Sequence, residues 1–207
     1  MIACLTGQPC RPPARDGGRR TGGALRAIAL LILAGASLES ARAAPAFPLQ
    51  NGEQLVYRVS WAIVRGAGEI KIEAHPDADT PNSLVVTTTT ATRGFARWLM
   101  RFEAKAASVY DLTTGSLVSL SESSDTRGKL KSHAVAFDYA DRLASYRALD
   151  STEPSLLAMP SGDPSDLIMA LLKTRTWDLK PGESRDSLVL FDDDFYELTI
   201  HATGYEE

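Results

Sequence analysis

The chain has 207 residues, with 22 basic and 26 acidic side chains, a formal net charge of −4, 44 % hydrophobic and 23 % charged residues. At roughly 150 residues per domain this is one globular domain, with or without an appendage. The composition excludes a disordered chain, a collagen-like repeat and a strongly basic nucleic-acid binder, and two cysteines exclude a disulfide-dense scaffold or a cysteine-rich zinc module.

The first 43 residues differ in kind from the rest. Arg19, Arg20 and Arg26 precede the uncharged apolar run Ala27 to Leu38, and Ala41 and Ala43 form an A-x-A exit followed by Ala44. That order is the pattern of a secretory signal peptide, and a run of this length is too short to span a membrane. Residues 1–43 are therefore expected to be a signal peptide cut between Ala43 and Ala44, and the protein to be exported, to the periplasm or cell envelope. Cys4 and Cys10 lie ahead of the apolar run, so no lipid anchor is expected. Removing the leader takes six basic and two acidic side chains with it and leaves 16 and 24, a net of −8.

Residues 44–207 read as a single β-rich domain. Leu55, Tyr57, Val59 and Trp61 alternate with Val56, Arg58 and Ser60, the period of a half-buried strand. Ile70, Ile72 and Ala74 continue the alternation after Gly66 and Gly68, where glycine suggests a bulge or a close strand approach. Leu84 to Thr92 is a strand by propensity. Further strands are expected at Phe102 to Tyr110, Ser116 to Ser123, Lys131 to Tyr139 and Arg142 to Leu149, with turns at Thr113–Gly115, Arg127–Gly128 and Asp138–Asp141. That spacing is an antiparallel meander. Near the end, Asp163-Pro164-Ser165-Asp166 opens a helix over about 164–175, with Asp163 as N-cap and Lys173 and Arg175 in the last turn. Leu167, Met169, Ala170 and Leu171 make it apolar on most sides, so it should be buried. A hairpin follows around Asp192–Asp194. The fold class expected is all-β, mainly antiparallel: a curved sheet or half-barrel with one buried helix.

Gly52-Glu53-x-Leu55-x-Tyr57-x-Val59-x-Trp61, Gly68-Glu69, Ser108-x-Tyr110-Asp111, the Asp166-Leu167 helix ending near Arg175, and Gly182-Glu183 occur in an order that resembles the bacterial exported family called domain of unknown function 3108. The resemblance implies an exported β-rich domain without assigned activity, and gives no catalytic residue. Family members continue with further strands beyond the position of Glu207. The resemblance therefore implies a C-terminally shortened member, with one edge of the last strand, Phe195 to Thr203, left open to edge-to-edge association.

The residues themselves point to no metal, no cofactor and no catalytic group. His75, His133 and His201 lack metal-ligand spacing. Asp192-Asp193-Asp194 lacks the spaced oxygens and glycine of a calcium loop and reads as a solvated tip. No G-x-S-x-G is present. Glu53, Glu69, Glu103 and Glu122 are the acids that could pair across strands as an acid–base couple, which leaves an exported hydrolase using carboxylates as the alternative function.

The unusual segment is Arg93 to Phe102. Wound as a helix, Arg93, Arg97 and Arg101 span about 80°, with Phe95, Trp98, Leu99 and Phe102 opposite. This is the pattern of a segment that lies on an anionic membrane surface or closes over an apolar ligand. Buried aromatics at helical spacing are usually core, so the ordinary expectation is a plug for the open side of the sheet. The function expected is a non-enzymatic periplasmic or envelope protein that binds an apolar ligand, lipid or membrane partner on its concave face, with no nucleic acid involved.

Overall fold

The computed structural model describes residues 7–9, 47–61 and 64–204. The expected cleavage site at Ala43 and Ala44 lies outside the described residues. Eight strands follow one another around a single open sheet: β2 (Gln54–Trp61), β3 (Val64–Pro76), β4 (Ser83–Thr92), β5 (Phe102–Asp111), β6 (Leu117–Thr126), β7 (Lys129–Asp138), β8 (Leu143–Ala148) and β9 (Ser155–Ala158). Every neighbouring pair is antiparallel. The expected meander is thus present. The sheet does not close into a barrel, because β2 and β9 remain its edges. β9 was not expected.

The connections explain the register. The β6–β7 turn has two central residues, Arg127 and Gly128, both with positive φ (54° and 83°), the backbone of the tight turn that matches strand twist. The β2–β3 ladder is irregular between Val59 and Trp61. Gly68, opposite Val59, fulfils the close-approach expectation: a Cβ there would stand 3.3 Å from the Ala91 carbonyl oxygen. Between β4 and β5 the chain makes one short helix, α1 (Gly94–Leu99).

The covered end of the concave face is built by α2 (Leu167–Lys173), continued by a 3₁₀ turn at Thr174–Thr176, and by the hairpin β10 (Ser184–Phe191) and β11 (Asp194–His201). Met169 and Leu172 pack on Ile72, Leu84, Val86, Tyr110 and Leu117 of the sheet. Ala170 faces Val189, Leu198 and Ile200 of the hairpin, while Leu190 and Phe195 reach Leu120, Val135 and Ala144. Tyr196, Leu198, Ile200 and Ala202 share the face that alternation assigns to the core; the last three are buried and Tyr196 partly so, while Phe195, out of phase with them, is buried as well. β1 (Gly7–Pro9) lies antiparallel on the outer edge of β11, at Tyr196 to Leu198.

The helix is where expected, but its cap is not. The N-cap is Asp166, three residues after the expected Asp163, and its Oδ1 accepts from the Met169 N–H at 2.7 Å. Its Oδ2 accepts from Ser108 Oγ at 2.6 Å and from Tyr110 Oη at 3.0 Å. Only a residue that can reach β5 as well as its own helix satisfies both buried hydroxyls, and a buried hydroxyl without a partner is costly. Desolvation, then the Asp166 carboxylate, pushes Tyr110 well above the usual phenol value. Lys173 donates to Ser165 Oγ, and burial pushes its ammonium down. Arg175 closes the clasp: its Nη1 donates to Glu53 Oε1 at 2.9 Å and to the Pro48 carbonyl at 3.1 Å. The Gln50 N–H, and then Arg175, hold Glu53 below the ordinary carboxylate range.

Candidate functional site

Beyond α2 and the hairpin the concave face lies uncovered. The composition of the strands changes there. β4 passes from Leu84 and Val86 to Thr88, Thr90 and Thr92, and β5 from Tyr110 and Ser108 to Ala106 and Ala104. Gly68 and Val59 share a register position. These small side chains leave space. A cavity of about 230 Å³ lies between the sheet and α1, lined by Val59, Gly68, Thr90 and Phe102 and by Ala96, Leu99 and Met100. A narrower space of about 140 Å³ continues along the crease where the sheet emerges from under α2 and β10; Thr90 lines both. A third space, of about 420 Å³, follows over β6–β8 and shares Glu122, Phe191 and Asp192 with the crease.

The expected contact segment stands at the mouth of the first cavity, but the aromatic plug is overturned. Trp98 is 77 % exposed and Phe95 61 %, and the two stack on each other at 5.7 Å. Leu99 and Met100 are also about half exposed. Only Phe102, which begins β5, turns partly inward. The reason lies in the arginines. Arg93 binds Glu69 at 2.8 Å and Arg97 binds Glu103 at 2.6 Å. Arg101 stands 3.9 Å from both Glu103 and Asp125. Arg127 donates to the Leu99 carbonyl at 2.8 Å. These contacts hold the arginine side of the segment to the strands and leave the aromatic side facing away from them.

The carboxylates named for an acid–base couple are dispersed. Glu53 serves Arg175, Glu69 serves Arg93 and Glu103 serves Arg97. Glu122 sits opposite His133 in the β6–β7 ladder, with 4.0 Å between Oε2 and Nε2. The His133 ring stacks on Tyr146 at 5.1 Å, and Tyr146 Oη donates to Asp192 Oδ1 at 3.1 Å. Desolvation first, and Asp192 second, push Tyr146 up to about 12. No single residue of this group carries a sequence signal of its own. The two-residue turn at Arg127–Gly128 was the available signal, since equal steps outward from it pair Glu122 with His133. His75 and His201 are exposed and apart from it. No group of three or more His, Cys, Asp or Glu among the described residues is placed to hold a metal ion. No helix among them is long and apolar enough to cross a membrane, which says nothing of strands.

The model of the family described as protein of unknown function (DUF3108) matches residues 56–207. The chain belongs to this family. No curated protein and no solved structure matches. Within this DUF3108 domain, several residues of the resemblance meet at the covered end. Ser108, Tyr110 and Asp166 form the buried hydroxyl–carboxylate group, and Glu53 and Arg175 form the clasp. Their work is to fix α2 on the sheet. None of them lines the apolar cavity beneath α1.

Proposed function

We propose that the protein is a non-enzymatic exported protein of the periplasm or cell envelope that binds the alkyl chain of a lipid-like amphiphile on its concave face, with α1 as the element that meets a membrane at the mouth. The observation that carries this reading is the apolar cavity under α1, walled by Val59, Leu99, Met100 and Phe102 and opening beside the exposed Phe95–Trp98 pair. A concave apolar space with few polar groups is what small-molecule sites share. An exposed aromatic pair backed by arginines suits the interface of a bilayer, where rings sit at headgroup depth and guanidinium groups reach phosphates. Export is supported by the leader pattern of residues 1–43.

The test is binding of dodecyl maltoside, a neutral alkyl probe, below its micelle concentration, followed by Trp98 emission. Binding should shift that emission to the blue, and Thr90→Phe, which fills the cavity from its floor, should abolish the shift with the thermal transition preserved. Equal binding by the Thr90→Phe protein would overturn the reading.

A further inference from the structure

We propose that the polar end of the concave-face crease, around Glu122 and His133, recognises a primary ammonium group carried on an apolar chain. This rests on the alkyl-chain reading above and adds the chemistry of the head.

Glu122 and His133 line one space, and with its ring proton on Nδ1 the histidine presents Nε2 as a second acceptor beside the carboxylate. The His133 side chain is only 10 % exposed, and its Nε2 is buried without a hydrogen-bond partner. Buried polar atoms are nearly always paired, so an orphaned ring nitrogen beside a cavity marks a place for a donor. Glu122 Oε2, the carboxylate atom it faces, stands 4.0 Å away, too far for a direct hydrogen bond. One nitrogen at about 2.9 Å from each atom bridges them. It must bring at least two N–H bonds: one for Nε2 and one for the carboxylate. A hydroxyl has one hydrogen to give and a quaternary ammonium has none, whereas a primary ammonium has three.

The surroundings favour the same charge. The adjoining space of about 420 Å³ is lined by Asp150, Asp192 and Asp193 as well as Glu122, against a single Lys131. Two aromatic rings, Tyr146 and the largely exposed Phe191, border it, and ring faces attract cations. Its rim also carries Leu130 and Leu149, both exposed, so the head site stays in contact with apolar surface. From β7 back to β4 is three strand spacings, about 14 Å. The crease through Thr90, Ala104, Leu120 and Phe191 covers that distance to the apolar cavity. An extended dodecyl chain is of that length.

The experiment is calorimetric titration of the full chain at low salt with dodecylammonium, dodecyltrimethylammonium and dodecyl maltoside, each below its micelle concentration. Dodecylammonium should bind about tenfold or more tightly than the other two. Glu122→Gln should remove that advantage, while His133→Gln, which keeps an acceptor, should retain part of it. If dodecyl maltoside binds as well as dodecylammonium, the head proposal fails and the chain reading stands. If the trimethyl head equals the primary one, the bridging geometry is wrong. If Glu122→Gln or His133→Gln lowers stability and leaves the preference intact, the pair is a structural contact and the proposal is overturned. If none of the three probes binds, both readings fall. Should Glu122→Gln not fold, the ranking of the three heads on the unaltered protein decides.

Discussion

The two ends of the concave face are made from the same strands and differ in almost everything else. At the covered end, Leu84, Tyr110 and Leu117 are closed off by Met169 and Leu172, and the buried hydroxyls of Ser108 and Tyr110 share one carboxylate. At the open end, the same strands present Thr90, Thr92 and Ala104, and the largest side chains of α1, Phe95 and Trp98, are exposed. One end places large residues on the floor and supplies a lid. The other places small residues on the floor and turns its aromatics outward. The comparison teaches that the size of floor residues along β4 and β5 separates a sealed core from a receptive surface, even within one strand.

The sharpest break between the ends is in stability. Leu84→Ala or Leu117→Ala removes a fully buried side chain and should cost about 2–5 kcal/mol in denaturant unfolding. Asp166→Ala loses the cap and strands two buried hydroxyls, and should cost about 2–4 kcal/mol, with Asp166→Asn milder because the amide oxygen still caps. At the open end, Trp98→Ala should change stability by no more than about 0.5 kcal/mol, since the ring is exposed. A cost of several kcal/mol would return Trp98 to the core and erase the distinction.

Alkali should act on the covered end and on β7–β8. Tyr110 is raised well above 10, and Tyr139 and Tyr146 are raised to about 12, each chiefly by desolvation. A phenol raised in the folded state binds its proton more tightly there than in the unfolded chain. Its contribution is complete below pH 10 and is lost as pH rises through the folded value. Lys173, lowered by burial, acts in the opposite sense below 10.5, relieving a penalty as it deprotonates. The melting temperature should therefore hold or rise slightly up to about pH 10 and fall steeply beyond it. Tyr110→Phe should blunt the fall; an unchanged alkaline limb would show that Tyr110 does not contribute. On the acid side, Glu53, lowered by the Gln50 N–H and by Arg175, gives stability that is present above its unfolded value and lost as pH falls through the folded one. Arg175→Gln should lessen that loss.

The smallest effect on the fold is expected at Arg97 of α1 and Arg101 just beyond it. Arg97→Gln with Arg101→Gln removes surface ion pairs worth about 1 kcal/mol or less, yet should abolish sedimentation with anionic vesicles at low salt. Vesicle binding that persists and ignores salt would remove α1 from the membrane reading.

How much of this was legible follows the range of each signal. Period-two alternation exposed β2, β3 and β11, and turn residues exposed the meander, because both act over a few neighbours. β9 escaped because Ser155–Ala158 is four residues between Pro154 and Pro160 without alternation. The cap was misplaced because Asp163 and Asp166 look alike locally, and only the reach to Ser108 and Tyr110, more than fifty residues away, separates them. The direction of the α1 aromatics depended on Glu69, Glu103 and Asp125 in three other strands. A helical wheel does not contain them.

The strictly sequential order of β2 to β9 carries a kinetic consequence. Each of these strands pairs with the one just made, so the sheet can zip by successive hairpins, each closing a short loop at little entropic cost. Docking of α2 and the β10–β11 hairpin is different in kind: Arg175 meets Glu53 across 122 residues of chain. That closure is the slow, long-range event, and its reversal is the first large opening to expect. Amide exchange should accordingly show α2 and β10–β11 releasing together at a lower free energy than the central strands β4 to β6, which makes the lid of the core a separable folding unit.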